Sequence, residues 1–243
     1  MANMALICAT VLNHIVASTN AIIRSIEYGR TLDIKGREWK RYLKKSLSFG
    51  LCYAGFSNPG CVREAWMAGE AAFLCCAYDV VTDWRHFDKQ ARDTYYRILR
   101  ARVSDPELQA LAMDLYETEE LDLLSEGGLE RGAIALRFTL KMMGCEKARE
   151  TIWGNLDELG RLLQIVDDVL DYEEDIVVGD KNCLTSTERY TYLQHLVSNL
   201  GTTETQRLFG SVRTVLIRVI EKAEIKAKVL LRAETIAQEK TIS

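Results

Sequence analysis

The chain has 243 residues, is 48% hydrophobic, holds two prolines and carries a formal net charge of −4. That length suits one large core, and the mild acidity leaves no basic footprint for nucleic acid. Seven cysteines, an odd number with no CxxC pair, sit mostly in apolar runs such as Leu74-Cys75-Cys76-Ala77 and read as buried free thiols of a reducing compartment.

Long stretches of Leu, Ala, Glu, Arg and Lys repeat their apolar residues every three or four positions, which predicts an all-α fold and a single domain over 1–243. The first helix is expected over 3–28. Its start is apolar but has no basic n-region, its first charge is Arg24, and Asn13 and His14 interrupt it. The expectation is no signal peptide, no integral membrane segment and a cytoplasmic location.

A second helix is expected over 36–55, with Arg37, Lys40, Arg41, Lys44 and Lys45 read as a solvated basic face. Asn58-Pro59-Gly60 is a turn. The third helix, 62–87, is apolar through its middle and so central to the core; it ends in Asp79-Val-Val-Thr-Asp83. Asp79 and Asp83 are four apart, on one helix face. A helix follows over 91–103. Asp105 caps the next and Pro106 opens it, taking it to about Leu124. Gly127 and Gly128 break the pattern; helix resumes to Met143 and stops at Gly144. A long helix is expected over 146–176, another up to Leu200, and a last one over 204–238 with Val212, Val215, Leu216, Val219 and Ile220 on one face.

The 146–176 helix carries the most informative stretch, Gln164-Ile-Val-Asp-Asp-Val-Leu-Asp-Tyr-Glu-Glu-Asp175. Six of its last nine residues are acidic, and Asp167, Asp171 and Asp175 share one helix face at i, i+4, i+8. Like charges at that spacing repel, so water, distant Lys or Arg, or a divalent cation must offset them. Mg²⁺ takes oxygen ligands, commonly one or two carboxylates together with substrate phosphates. If the two acidic helices run parallel, Asp79/Asp83 and Asp167/Asp171/Asp175 face one cavity walled by Phe73, Cys76, Tyr78, Leu163, Gln164, Val166 and Leu170. A polyanionic mouth over an apolar interior suits a diphosphate head with a hydrocarbon tail.

The acidic stretch resembles the second aspartate-rich motif of trans-isoprenyl diphosphate synthases, and Asp171-Tyr-Glu-Glu-Asp175 resembles the second DxxxD of squalene and phytoene synthases. Its continuation to Gly179-Asp180-Lys181-Asn182 is most similar to large-terpene synthases of the tetraprenyl-β-curcumene synthase type. Asp79-Val-Val-Thr-Asp83 matches the first DxxxD of such enzymes. The resemblance covers about 62–87 and 155–186. It implies the class I isoprenoid synthase bundle around a central apolar cavity, with three Mg²⁺ ions holding a diphosphate. It also implies Asp79, Asp83, Asp167, Asp171 and Asp175 as metal ligands, with Asp79, Asp83, Asp171 and Asp175 catalytic. Arg131, Arg137, Lys181 and Asn182 would bind the diphosphate, and Phe73, Tyr78 or Phe138 would face the allylic cation.

Several features depart from that pattern. The first site is not DDxxD, and no Gly-Lys-x-x-Arg segment for a second, isopentenyl substrate is present. Asn182 and Ser186 fit the start of a cyclase Asn/Ser/Glu triad, but residue 190 is Tyr. These departures favour cyclisation of one C15–C25 prenyl diphosphate over chain elongation. A prenyltransferase, acting head-to-head or on a small acceptor, and a non-catalytic helical partner of a prenyl synthase are the alternatives. A homodimer is the family expectation.

Overall fold

The computed structural model describes residues 2–84, 88–122, 130–153, 156–161, 163–164 and 167–168, and the single positions 225 and 232. Among the described residues every regular element is helical. In order these are α1 (Ala2–Gly29), α2 (Arg37–Ala54), α3 (Val62–Asp79), one π-helical turn (Val80–Trp84), α4 (Lys89–Arg102), α5 (Pro106–Asp122), α6 (Glu130–Met143) and α7 (Glu146–Trp153). Residues 156–161, 163–164 and 167–168 are also helical. Of the expected helices beyond residue 168 only positions 225 and 232 are described, both helical, and Gly127-Gly128 lies outside the described residues.

Local chemistry sets the boundaries. The Asp88 carboxylate accepts from Ala91 N at 3.0 Å and caps α4 two residues earlier than the sequence suggests. Asp105 accepts from Glu107 N at 2.9 Å, and Pro106 opens α5 as expected. Gly144 stops α6 with a φ of 71°, a backbone that a side chain would strain.

α3 is the axis. All residues from Ala68 to Tyr78 are buried, as its unbroken apolar run requires. A single buried cluster joins it to Tyr42 of α2, Tyr95 and Leu99 of α4, Leu108 and Leu115 of α5, and Phe138 and Met142 of α6. α1 and α2 pack on one side through small residues. A methyl group on Gly69 of α3 would collide with the Ala17 carbonyl of α1, and one on Gly50 of α2 would meet Ser18 Cα at 3.0 Å.

One charge is buried in this packing. Glu70 of α3 is held by Arg24 of α1 at 3.2 Å, Arg102 of α4 at 2.5 Å and Asn20 of α1 at 3.4 Å. Burial by itself raises the Glu70 pKa, but these three donors outweigh it and hold the carboxyl below its usual range. Glu70→Gln should therefore cost about 2 kcal/mol in urea unfolding at neutral pH, since both guanidiniums lose their anion. A carboxyl depressed in the folded state stabilises only above its unfolded pKa. The gap between the two proteins should thus be full above about pH 4.3 and close as pH falls through the folded-state value. A gap that does not change with pH would show that Glu70 is not ionised in the folded protein.

Candidate functional site

α3 ends at Asp79, and the helix widens into the π turn as it passes Asp83. Such turns are rare and recur at functional sites. Thr82 Oγ1 donates to the Tyr78 carbonyl at 3.3 Å, occupying an acceptor at the point where the ladder loosens. The Asp83 side chain lies outside the described residues, so the i, i+4 pair is seen only through its backbone.

Asp79 is paired. Lys45 Nζ of α2 lies 2.7 Å from Asp79 Oδ2, and both side chains are largely withdrawn from solvent. The basic run of α2, read from sequence as a solvated face, is thus broken at Lys45. Lys40 and Lys44 remain exposed, but Lys45 lies on the side of α2 turned to α3. The spacing Lys45, Phe49, Tyr53 carries that side down the helix. The ammonium sits 5.7 Å from the Phe49 ring centroid, and Phe49 stacks on Tyr53 at 5.8 Å. Tyr53 and Thr139 of α6 both meet the Cys75 thiol, one turn below Asp79. Burial first, with the Asp79 charge adding to it, pushes that thiol up to about 12 against the hydrogen bonds from Tyr53 and Thr139. Burial likewise holds the Tyr53 hydroxyl well above its ordinary range. Both groups are neutral at pH 7. Asp79 therefore stands over an uncharged, partly aromatic wall of Phe49, Tyr53, Cys75 and Thr139.

The wall expected from sequence included Phe73, Cys76, Tyr78 and Phe138; of these, Cys76 stays within electrostatic reach of Asp79 and Lys45, while the others are engaged elsewhere in the core. Phe73 stacks on Tyr28 of α1 at 5.3 Å. The Cys76 thiol donates to the Tyr42 carbonyl at 3.6 Å. Tyr78 turns to α5, donating to the Leu115 carbonyl at 3.2 Å, and meets Tyr95 edge-on. Phe138 is buried in the central cluster. The cause is the complete burial of α3: with helices on every side, a face chosen by its acidic end is only one of several apolar faces. The i, i+4, i+8 column Lys45, Phe49, Tyr53 on α2 marks the face that meets Asp79.

The start of the second acidic stretch, Asp167 and Asp168, lies toward the same end of the bundle. α6 runs antiparallel to α3: Cys145, just beyond α6, lies within electrostatic reach of Glu64, while Thr139 meets Cys75. The chain then turns back beside α6. Arg149 Nη2 reaches Asn58 Oδ1 at 3.1 Å and lies 4.0 Å from Glu64. Arg137 pairs with Asp157, Glu130 with Arg161, and Arg131 Nη2 with Asp168 Oδ1 at 3.1 Å. The 146–168 stretch thus rises from the start of α3 toward its Asp79 end, parallel to α3 as the shared-cavity reading requires. Asp167 comes within electrostatic reach of Cys52, beside Tyr53.

This antiparallel pairing depends on two glycines. A methyl on Gly160 would stand 2.5 Å from the Gly132 carbonyl oxygen and 2.7 Å from Ala133 N, so the two backbones touch where these residues cross. That contact brings Asp168 under Arg131. Gln164 Nε2 donates to the same Asp168 oxygen at 2.7 Å. Asp168, which sequence reasoning passed over, is buried and organises two residues assigned from sequence to substrate, Arg131 to the diphosphate and Gln164 to the pocket. The Arg131–Asp168 pair spans 37 positions of sequence and left no local signal; the Gln164–Asp168 pair is a local i, i+4 contact.

Arg131 and Arg137 were expected to bind one diphosphate. Six residues on a helix turn through about 600°, a third of a turn out of phase, so the two diverge on α6. Arg137 is engaged by Asp157, whose oxygens accept from both Nε and Nη2, and lies farther from the acidic end. Of the two, Arg131 is the one near the carboxylates. Leu163 and Gln164 are half-buried on the same stretch. Val166, Leu170, Asp171, Asp175, Lys181 and Asn182 lie outside the described residues. Within the described residues no three His, Cys, Asp or Glu side chains gather at one point.

Hard carboxylate oxygens are the donors Mg²⁺ prefers, and Asp79 already holds a cation, the Lys45 ammonium, at contact distance. Among the described residues Asp79 and Asp167 supply oxygen donors of the kind a divalent ion takes, with Asp79 paired to Lys45.

Comparison with protein-family models, with characterised proteins and with solved structures finds no match in any of the three. The functional reading accordingly rests on the residues and their arrangement.

Proposed function

We propose that the protein is a class I terpene synthase, which ionises a linear C15–C25 prenyl diphosphate and cyclises the allylic cation with release of diphosphate. The observation that carries this reading is the parallel course of α3 and the 146–168 stretch, which brings Asp79 and the start of the second acidic motif to one end of a buried apolar helix. Asp79, Asp83, Asp167, Asp171 and Asp175 would hold Mg²⁺. When bound, the metal supplies Lewis-acid neutralisation of charge on the departing diphosphate. Arg131 adds fixed positive charge at the same end, now partnered by Asp168 and able to exchange it for phosphate oxygens. Phe49 and Tyr53 offer aromatic faces to an allylic cation, and the neutral Cys75 and Tyr53 leave no nearby anion on that wall to capture it.

The test is product analysis of the full chain with C15, C20 and C25 prenyl diphosphates, with and without Mg²⁺ and with and without isopentenyl diphosphate. The expected result is a cyclic hydrocarbon or alcohol from one substrate alone, dependent on metal. Turnover only with a second substrate would make it a prenyltransferase. No diphosphate release from a folded protein would leave the non-catalytic partner.

Lys45 gives a finer prediction. Its ammonium occupies the charge position a metal would take beside Asp79, so the two compete. Lys45→Met should lower the Mg²⁺ concentration for half-maximal turnover about five-fold, the equivalent of ~1 kcal/mol for a partly shielded ion pair. A raised Mg²⁺ requirement would instead show that Lys45 serves the metal-bound state.

A further inference from the structure

Most of the basic run at the start of α2 stays outside the Lys45–Asp79 contact. On a helix of about 3.6 residues per turn, Lys45, Arg41, Arg37, Lys44 and Lys40 follow one another through about 140° of the circumference, all to one side of Lys45. Lys45, at the edge of that arc, turns to α3. Arg41 is half-buried, and Arg37, Lys40 and Lys44 are exposed and meet no carboxylate among the described residues.

This face repels itself. Arg37 with Arg41 and Lys40 with Lys44 are like charges at i, i+4, and Arg37 with Lys40 and Arg41 with Lys44 are like charges at i, i+3. Glu38 is the single acid between Arg37 and Lys45, in a chain whose net charge is −4. A bound anion would relieve that local excess.

Its place decides which anion. Arg37 to Lys45 spans about 12 Å along the helix axis, so every charge of the face stands within that height of the Lys45–Asp79 pair. Cys52, within electrostatic reach of Asp167, lies about 20° round the helix from Lys45, in the direction of the basic face. The start of the second acidic stretch therefore comes to α2 on that side. The carboxylates assigned to Mg²⁺ repel a diphosphate until metal neutralises them, and cations beside them offset the repulsion on approach. An anionic membrane fits less well, because a plane of headgroups would press on those carboxylates together with the lysines.

We infer that the exposed face of Arg37, Lys40 and Lys44 captures the diphosphate head of the incoming substrate beside the metal site. This capture step rests on the proposed function. The test titrates inorganic diphosphate with Mg²⁺ into the full chain at about 0.01 M and about 1 M salt, where charges act over about 30 Å and about 3 Å. Arg37→Glu/Lys44→Glu should bind about ten-fold more weakly than the wild type at low salt and within about two-fold at high salt. Arg63→Glu/Lys147→Glu makes the same change of net charge on exposed residues at the Glu64 end of α3, and should stay within about two-fold at both salts. All three proteins should share one urea midpoint. A wild type that binds no diphosphate would remove the proposed function and the capture face with it. A wild type that binds, with Arg37→Glu/Lys44→Glu equal to it at low salt, would overturn the capture face alone, as would equal losses in both double variants. Lowered stability with unchanged affinity would make the face a partner of the chain's own acidic stretch instead. Flotation on phosphatidylserine vesicles that Arg37→Glu/Lys44→Glu abolishes would assign it to lipid.

Discussion

Asp79→Asn and Asp171→Asn should each lower metal-dependent diphosphate release about 10³-fold, a loss of ~4 kcal/mol of transition-state stabilisation. The change keeps the size of the side chain but turns one carboxylate oxygen into an amide donor and removes the charge that binds a divalent ion. For Asp79 the structure adds a second consequence. Lys45 loses its carboxylate partner at 2.7 Å, so the variant should lose little stability only if the ammonium finds solvent. Asp157→Asn is the matched control. It removes a carboxylate from the same helical stretch, but one bound to Arg137 and farther from the acidic end. A partly exposed ion pair of that kind is worth about 0–1 kcal/mol, and turnover should stay within about two-fold. Equal losses in all three variants would mean that the effect is one of folding, read directly by circular dichroism.

Gly160→Ala should destabilise the protein by about 3 kcal/mol in chemical unfolding. The sign is the informative part. In an ordinary helix, Gly→Ala gains roughly 0.5–1 kcal/mol because the backbone loses freedom only in the unfolded chain. Here the added methyl meets the Gly132 carbonyl at 2.5 Å and Ala133 N at 2.7 Å, both backbone atoms that cannot rotate aside. Relief requires the two helices to separate, which removes packing along their length and costs on the scale of overpacked cores. It also draws Asp168 away from Arg131, so the variant should lose activity at temperatures where it is still folded. A stabilised Gly160→Ala would show that the crossing is looser than these distances and that the register of the second acidic motif is set elsewhere.

The helical frame was legible because its signals are local. The Asn58-Pro59-Gly60 turn, Asp105 with Pro106, and Gly144 each act within a few residues, and the unbroken apolar run of α3 marks it as central. The acidic end of α3 was legible too, since Asp79 follows directly on that run. What escaped was everything decided between helices. A basic run on α2 looks like solvent-facing charge until α3 brings Asp79 beside Lys45. Phe73, Tyr78 and Phe138 have the composition of a pocket wall, but which face of a fully buried helix meets a cavity is settled by its neighbours. Gly132 and Gly160 lie 28 positions apart, and nothing local marks the contact between them. Asp168 sits next to the residue the spacing singled out, one helix position away from the acidic row, and its role as the anchor of Arg131 and Gln164 shows only in the hydrogen bonds it accepts from both. α1 gives the sharpest contrast. Its apolar pattern predicts a helix, and a helix forms, but the side it buries is the polar one.

On the proposed function, the carboxylates of α3 and of the 167–175 stretch form a single metal and diphosphate site. Isothermal titration of the full chain with inorganic diphosphate measures it most directly. Binding should require Mg²⁺ and be lost in both Asp79→Asn and Asp171→Asn, because either half of a shared site is insufficient. Binding that is independent of metal, or that survives either substitution unchanged, would contradict the claim.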